Sequence, residues 1–264
     1  MKVKLTSRLT ILLTIGAIAT LCCMVNITGS SEVYNQTIDD EILKTSKISG
    51  KIHIDDNWAA AKTAGICTGE GTASDPYVIK DLEIDGGGTG SCILIGNSTV
   101  FFRIENCTVY NSGSSYFDGG IELDNVKYGR IINNEVYDQN NGIFINGSSD
   151  IIVSGNDCYL CIGVLIEYSE NITVYFNNFL ADPLLGTDFS FYNSTVLWSS
   201  PQQLGYKYNG MSYTNYIGNY YQNYVGQDAN NDGIGDNPHT IDPHKPSPIV
   251  VDIYPLMEPI ENYE

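Results

Sequence analysis

The sequence predicts an all-β protein: a right-handed, single-stranded parallel β-helix (a solenoid) with a short N-terminal cap and an irregular C-terminal cap carrying a calcium-type loop. Two repeated series of a short alternating pattern predict the solenoid. Five segments align without gaps at offsets of 25, 27, 22 and 21 residues: VIKDLEID (from 78), RIENCTVY (103), RIINNEVY (130), IVSGNDCY (152) and TVYFNNFL (173). A second series lies between them at offsets of 28, 22 and 21 residues: CILI (92), GIEL (120), GIFI (142) and GVLI (163). We therefore expect two strands in each coil.

The alternation within each segment predicts which side chains face the core. Every second position is apolar and its neighbours are polar, as in a strand with one buried face. The apolar columns are Ile79, Ile104, Ile131, Val153 and Val174, and Ile84, Val109, Val136, Cys158 and Phe179. A third column ends with Asn134, Asn156 and Asn177, whose amides can bond to one another and to the backbone of the next coil. An antiparallel sandwich would explain the alternation, but not a period shared by both series.

The chain divides into a leader, a linker, two caps and the coils. Residues 1–30 combine a basic start with the uncharged stretch 9–25, which predicts a signal peptide or an uncleaved N-terminal anchor. The other segments are a polar linker (31–50), an N-terminal cap with a short helix in DDNWAAAKTAG (51–76), the coils (77–183) and the C-terminal cap (184–264). A solenoid exposes core and strand edges at its ends, so we expect the caps to cover them.

The net charge and the N-terminal leader together restrict the possible partners and the location of the protein. The chain has 31 acidic and 13 basic residues, and the net charge of −18 repels phosphate backbones, so nucleic acid is excluded as a partner. The leader predicts a secreted or cell-surface protein that touches the membrane only through residues 1–30, if they are not cleaved. Sequons agree with this location and predict a glycoprotein. They begin at Asn26, Asn35, Asn97, Asn106, Asn146, Asn171 and Asn193.

Several stretches of the chain resemble a known group of secreted proteins. TASDPYVIKDLEIDGGGTGSCILIGNSTVFFRIENCTVYNSG and GIELDNVKYGRIINNEVYDQNNGIFI resemble the parallel β-helix proteins of the NosD-like class, especially the archaeal members. The later segments YIGNYYQNYVGQDANNDGIGDNPHTI and DIYPLMEP are similar to the closing part of that class. The resemblance covers about residues 52–259, and it implies a right-handed β-helix with an extracellular location.

The NosD resemblance also implies an association with copper, which the residues do not support. Copper is typically bound by Cys, Met and His. The His and Met residues beyond the leader are His53, Met211, His239, His244 and Met257. Only His239 and His244 are close in sequence, and they lie in a proline-bounded loop. A copper accessory protein is therefore the least favoured interpretation.

The stretch DANNDGIGD, residues 228–236, has the ligand order of the first nine positions of an EF-hand calcium loop. The predicted ligands are the side chains of Asp228, Asn230, Asp232 and Asp236 and the main-chain carbonyl of Ile234. His239 stands at position 12, where the pattern has a bidentate glutamate, and no amphipathic helix flanks the loop. We expect a static structural Ca²⁺ site, completed by water or by Asp242 or Asp252. An Asx-rich turn without an ion is the alternative.

Three acidic residues are weak candidates for catalysis. Glu122 and Asp124 would lie roughly 7 Å apart on the outward side of one strand, inside the separation that inverting glycosidases use. Glu167 would lie two coils beyond Asp124. Phe144 and Leu165 also point outward on this wall, which indicates that the C-terminal segment covers it. No catalytic residue is therefore assigned, and the sequence favours a protein that is not an enzyme.

The sequence favours an extracellular β-helix that works as a binding or structural module stabilised by calcium. A polysaccharide or surface glycan is the expected partner, because the 19 tyrosines offer ring faces for sugars along the outer wall. A calcium-dependent polysaccharide hydrolase or lyase is the alternative. The two functions differ in one observable feature, which is whether the wall of Glu122, Asp124 and Glu167 is open or lies beneath residues 184–220.

Overall fold

Three parallel β-sheets form the walls of the protein in the part of the chain that the structure describes. The computed structural model describes residues 47–137, 141–180, 190–241 and 250–264. The predicted leader, most of the predicted linker, Asp242 and His244 lie outside these ranges. Short strands alternate with tight corners, as the spacing of the repeats predicts.

Short strands recur along the whole described part of the chain. The first coils contain β1 (Lys47–Ser49), β2 (Ile52–Asp55), helix α1 (Trp58–Thr63), β3 (Tyr77–Lys80), β4 (Leu82–Asp85), β5 (Ile93–Gly96), β6 (Phe102–Glu105), β7 (Thr108–Tyr110) and β8 (Gly119–Asp124). The next coils contain β9 (Gly129–Ile132), β10 (Glu135–Tyr137), β11 (Asn141–Asn146), β12 (Ser149–Ser154), β13 (Asp157–Tyr159), β14 (Ile162–Glu167), β15 (Glu170–Tyr175) and β16 (Asn178–Leu180). The C-terminal part contains β17 (Ser190–Tyr192), β18 (Val196–Leu197), β19 (Leu204–Tyr208), β20 (Met211–Asn215), β21 (Tyr220–Tyr221), β22 (His239–Thr240), β23 (Val251–Asp252) and a 3₁₀ turn (Ile260–Asn262).

Each coil places one strand in each of the three sheets. Sheet A has the order β1-β4-β7-β10-β13-β16-β21, sheet B has β17-β14-β11-β8-β5-β2, and sheet C has β18-β15-β12-β9-β6-β3. The expectation of two strands per coil was wrong, because segments such as 78–85 bend in the middle. Asp81, Asn106 and Asn133 adopt φ values of 55°, 54° and 55° at this bend. Short polar residues tolerate that left-handed conformation, so the chain turns from sheet C into sheet A.

The predicted register is confirmed. Ile131 pairs with Val153, and Val136 pairs with Cys158, both in parallel ladders. The side chains of these two columns are at most 2 % exposed, and Cys158 lies in the core rather than on the surface. The parallel pairing excludes an antiparallel sandwich and confirms the all-β solenoid.

The predicted asparagine column is also confirmed, and it continues one coil further. Asn134, Asn156, Asn177 and Asn219 are each at most 1 % exposed. The backbone N–H and the Nδ2 of Asn156 both donate to Oδ1 of Asn177, each at 2.9 Å, and Nδ2 also donates to the carbonyl of Ile131 at 2.9 Å. A buried amide is costly unless its donors and acceptor are paired, and this stacking pairs them between coils.

Both ends of the solenoid extend beyond the coil segment that the sequence indicates. Strand β1 pairs with β4 and β2 pairs with β5, so sheets A and B begin before residue 77. Helix α1 lies between β2 and β3, where Trp58 stacks on Tyr77 with ring centroids 4.9 Å apart. Beyond residue 183, β17, β18 and β21 continue sheets B, C and A.

The C-terminal part has a second apolar core of its own. Strands β19 and β20 form an antiparallel hairpin between β18 and β21. The buried residues of this second core are Tyr206, Tyr208, Ile217, Ile234, Leu256 and Tyr263. Leu256 bridges both Tyr220, in the last strand of sheet A, and Ile234, in the 228–236 loop. This segment therefore ties the predicted calcium-type loop to the end of the solenoid.

Candidate functional site

The outward side of sheet B carries the three carboxylates that the sequence singles out. Glu122 and Asp124 lie two residues apart on β8. The ladder from Asp124 passes through Asn146 to Glu167, as the alignment predicts. In the neighbouring column Phe144 follows Glu122. Apolar and amide side chains therefore separate Glu167 from the first two carboxylates.

Each of these carboxylates has its own hydrogen-bond donor. The hydroxyl of Ser91 donates to Oε2 of Glu122, and Nδ2 of Asn146 donates to Oδ1 of Asp124 at 2.8 Å. Burial raises the pKa of Glu122 above its ordinary value, while the Ser91 hydroxyl acts in the opposite direction. The partners hold Glu122 and Asp124 in the wall, and the raised pKa of Glu122 is of the kind that a general acid uses.

The wall beside these residues is closed by a loop from an earlier coil. Tyr116 and Phe117, in the loop between β7 and β8, contact Phe144 with ring centroids 6.5 Å and 5.9 Å apart. Phe144 is 1 % exposed although it points outward from the sheet. The ring contacts on Phe144 therefore come from this loop, and the predicted cover by residues 184–220 lies partly outside the described residues.

Exposed aromatic side chains gather around Glu167. Tyr116, Phe117, Tyr168 and Tyr192 are 52 %, 58 %, 57 % and 57 % exposed, and we call them the aromatic patch. The hydroxyl of Tyr116 donates to Oε1 of Glu167 at 2.7 Å, and this bond raises the pKa of Tyr116 to about 12. Tyr192 is the next residue after Glu167 in the ladder. It meets Tyr168 edge to face, with centroids 5.3 Å apart.

The tyrosines on sheet A are arranged differently and do not offer ring faces. Tyr110, Tyr137 and Tyr159 lie in register on successive coils. Their rings stack at centroid distances of 5.2 Å and 5.0 Å, with planes 13° and 5° apart. Each ring covers the face of the next, so mainly edges meet solvent. These three tyrosines of sheet A therefore do not form the flat wall of ring faces that we expected from the sequence.

The 228–236 loop is held together by its own backbone donors. The carboxylate of Asp228 accepts from the N–H groups of Asp232 at 3.1 Å and Gly233 at 2.8 Å. Asp232 accepts from the N–H of Ile234 at 2.9 Å, and Asp236 accepts from the N–H of Ala229 at 2.8 Å. These contacts are typical of an Asx-rich turn. They also hold the side chains of the predicted calcium ligands Asp228, Asp232 and Asp236 within one small loop.

The surrounding tyrosines explain the glycine of this loop. Gly233 has a φ of +85°, and a Cβ there would lie 2.7 Å from the ring of Tyr208 and 2.8 Å from that of Tyr263. The hydroxyl of Tyr206 donates to the carbonyl of Asp232 at 2.9 Å. The loop therefore packs into the second core, which accounts for Gly233 without a metal ion. The carboxylate of Asp252, which the sequence suggested as a further ligand, accepts hydrogen bonds from the backbone N–H of Asn219 and the hydroxyl of Tyr221.

Comparison with known proteins assigns the family. The model of a family described as periplasmic copper-binding protein (NosD) matches residues 20–226. The chain belongs to the NosD family. No curated protein and no solved structure matches it. The parallel solenoid and the resemblance of the repeats agree with this membership.

The described residues of this NosD-family chain do not fit a copper centre. The cysteines beyond the leader are buried in the core, and Met211 is 63 % exposed. His239 stacks on Tyr221 with ring centroids 4.0 Å apart, and burial lowers its pKa to about 4. Within residues 47–137, 141–180, 190–241 and 250–264, no group of three His, Cys, Asp or Glu residues is placed to hold a metal ion.

The location of the NosD family agrees with the predicted one. The family description is that of periplasmic proteins, and the leader predicts an extracytoplasmic chain. Across the described part of the chain, no helix has the length and apolar character that a membrane span requires. The protein is a β-helix module of the NosD family, and the periplasmic description of that family is consistent with an extracytoplasmic location.

The sequence did not single out the residues of the aromatic patch. Tyr116 and Phe117 lie in a loop that belongs to neither repeat series. Tyr192 could have been found from the register, because it follows Glu167 in a column that otherwise holds small or polar residues. Tyr168 could have been found in the same way, because its corner column otherwise holds only Asn and Gly.

Proposed function

We propose that this β-helix is a surface module that binds a polysaccharide or surface glycan through the aromatic patch. The observation that carries the proposal is the grouping of Tyr116, Phe117, Tyr168 and Tyr192 around one carboxylate, Glu167. Large exposed aromatic side chains on a rigid wall are uncommon in a soluble protein unless they bind a partner. A glycan fits because its C–H faces pack on aromatic rings while its hydroxyls bond to a carboxylate.

The patch is also stiff. Glu167 and Tyr192 project from adjacent strands of sheet B, and the hydroxyl of Tyr116 is fixed by its bond to Glu167. A preorganised surface loses little conformational entropy on binding, so a small patch can bind a sugar chain. The direct test is a glycan array followed by calorimetry with the wild type and with Tyr192→Ala. Loss of binding in the variant supports the patch, and equal binding contradicts it.

A calcium-dependent polysaccharide hydrolase or lyase is the second candidate, and one observation favours it. Glu122 is half-buried with a raised pKa, and Asp124 lies two residues away on the same strand. The evidence for this enzyme is weaker than the evidence for glycan binding for two reasons. The aromatic cover on Phe144 lies beside Glu122, and both carboxylates already have protein donors. A reducing-end assay on neutral and acidic polysaccharides distinguishes the two functions.

We further propose that Ca²⁺ binds the 228–236 loop and stabilises the cap. The proposal is supported by the order of the oxygen ligands and by the repulsion among three carboxylates within nine residues of an acidic chain. Binding would require the carboxylates of Asp228, Asp232 and Asp236 to turn from their N–H donors toward one point, because they are not grouped around a metal position in this structure. Thermal unfolding with and without calcium tests it.

A further inference from the structure

The corner between sheets B and C holds an unusual residue. One position of each coil there adopts the left-handed conformation, and the residues are Asn97, Asn125, Gly147, Tyr168 and Asn193, with φ between 47° and 56°. Asn and Gly accept this conformation readily, whereas a bulky side chain is strained in it. Tyr168 is therefore the residue of this column that the fold alone does not explain.

Packing does not compensate the strain at Tyr168. Its side chain is 57 % exposed, and its aromatic contact is the edge-to-face one with Tyr192. Backbone strain of this kind clusters at active and ligand-binding sites. The strain alone identifies no ligand, but the surface next to Tyr168 does.

A cleft of about 590 Å³ opens beside Tyr168 along the same corner. Its polar lining includes Lys127, Ser149, Glu170 and Thr195, from four successive coils. Gly147 leaves the space open, because a Cβ placed there would meet no atom nearer than 3.9 Å. The size is within the range of small-ligand sites, and an aromatic ring beside several hydroxyl, ammonium and carboxylate groups suits a polyhydroxylated ring.

We propose that this cleft binds one pyranose unit of a neutral glycan, with the sugar ring on Tyr168 and its hydroxyls on Lys127 and Glu170. This assignment rests on the proposed glycan-binding function and extends it to a defined subsite. A neutral sugar is favoured over a uronate because the cleft presents one cation and one anion, on a chain of net charge −18.

The column itself supplies substitutions that the fold should accept. Gly147→Asn fills the cleft with a residue type that the neighbouring coils already hold in the same conformation. Tyr168→Asn removes the ring and relieves the left-handed strain, so it should raise the melting temperature while it weakens binding. Gly210→Asn is the matched control, since Gly210 has a φ of +77° and open space in the β19–β20 turn, far along the chain from the cleft.

The experiment is calorimetric titration of these variants with neutral oligomers of glucose, mannose and N-acetylglucosamine, and with oligouronates. We expect at least tenfold weaker binding of a neutral oligomer by Gly147→Asn and Tyr168→Asn, and unchanged binding by Gly210→Asn. Wild-type affinity in both cleft variants, with loss only in Tyr192→Ala, would overturn the cleft and leave the patch standing. Binding of oligouronates alone would overturn the neutral sugar. A wild type that binds no oligomer would refute the proposed function and the cleft with it.

Discussion

The carboxylate of Asp252 accepts two hydrogen bonds from Asn219, one from its backbone N–H at 2.7 Å and one from its Nδ2 at 3.2 Å. Asn219 in turn accepts from Asn177, and Asn177 from Asn156, so the ladder runs in one direction through the solenoid. Each member donates toward the C-terminus. Such a ladder needs a final acceptor without a further donor, and Asp252 supplies it from the C-terminal cap.

Breaking the ladder in its middle should destabilise the fold. Asn156→Ala leaves the carbonyl of Ile131 and the amide of Asn134 without their partner. At roughly 1–3 kcal/mol for each buried group left unpaired, we expect a loss of about 3 kcal/mol or more in the free energy of unfolding. Urea denaturation measures it. Asn125→Gly is the control, because it alters an exposed left-handed residue and should cost less than about 1 kcal/mol. Equal losses of unfolding free energy in the two variants would show that the buried asparagine ladder stabilises the fold no more than an exposed corner residue does.

The end of the ladder should make stability depend on pH. Burial raises the pKa of Asp252 to about 7, although the bonds from Asn219, Tyr254 and Tyr221 act in the opposite direction. Between about pH 4 and 7 the folded protein holds a proton that the unfolded chain has released. The contribution of the protonated Asp252 carboxyl group to the free energy of unfolding is therefore present at low pH. It falls by up to about 1.4 kcal/mol per pH unit as pH rises to 7.

His239 acts in the opposite sense and must be separated from Asp252. Its pKa is lowered to about 4 by burial, so its contribution to stability is lost as pH falls below its ordinary value of 6.5. The quantity to measure is the free energy of unfolding of the wild type minus that of Asp252→Asn, at pH 5, 6, 7 and 8. We expect this difference to shrink from pH 5 to 7 and then level off. A difference that is constant with pH would be incompatible with a titrating Asp252.

Calcium should raise the melting temperature of the wild type. An ion that binds the folded loop stabilises it by mass action, and the absent carboxylate at position 12 predicts an affinity in the roughly 10⁻⁴–10⁻³ M range. Asp228→Asn and Asp236→Asn keep an acceptor for the backbone N–H donors but remove a charge, so they should reduce the shift. Asp75→Asn, outside the loop, should not. Identical melting curves in calcium, magnesium and chelator would leave the loop as an Asx-rich turn.

The protein should not cleave polysaccharides. Glu122 and Asp124 are engaged by Ser91 and Asn146, and Phe144 beside them is covered by aromatic side chains. We expect no reducing ends and no unsaturated products from pectin, alginate or neutral glycans, with a known hydrolase as the positive control. Turnover that disappears in Glu122→Gln would establish the hydrolase or lyase instead.

The sequence predicts the solenoid well because its core repeats at a fixed spacing. Ile131 and Val153, or Val136 and Cys158, occupy equivalent positions in aligned segments, and equivalent positions pair in the structure. The third strand of each coil was missed because the bends at Asp81 and Asn106 need no Gly or Pro. Left-handed Asn and Asp do not interrupt the alternating pattern that the alignment detects.

The candidate site is harder to predict from the sequence, because its aromatic residues lie outside the repeated pattern. Tyr116 and Phe117 come from a loop inserted into one coil, so no repeat places them over Phe144 or beside Glu167. Tyr168 stands at a corner where exposure and backbone conformation, not periodicity, make it unusual. The carboxylates were found because they lie in strands, whereas the aromatic patch depends on contacts between loops and corners.

The most direct test of the glycan-binding proposal is the affinity of the wild type and Tyr192→Ala for neutral oligosaccharides, with Tyr137→Ala as the matched control. Tyr137 is stacked between two other tyrosines, so its ring faces are unavailable to a sugar. We predict a wild-type dissociation constant below about 1 mM, at least tenfold weaker binding by Tyr192→Ala, and little change in Tyr137→Ala. No saturable binding by the wild type, or equal affinity in all three proteins, would contradict the account.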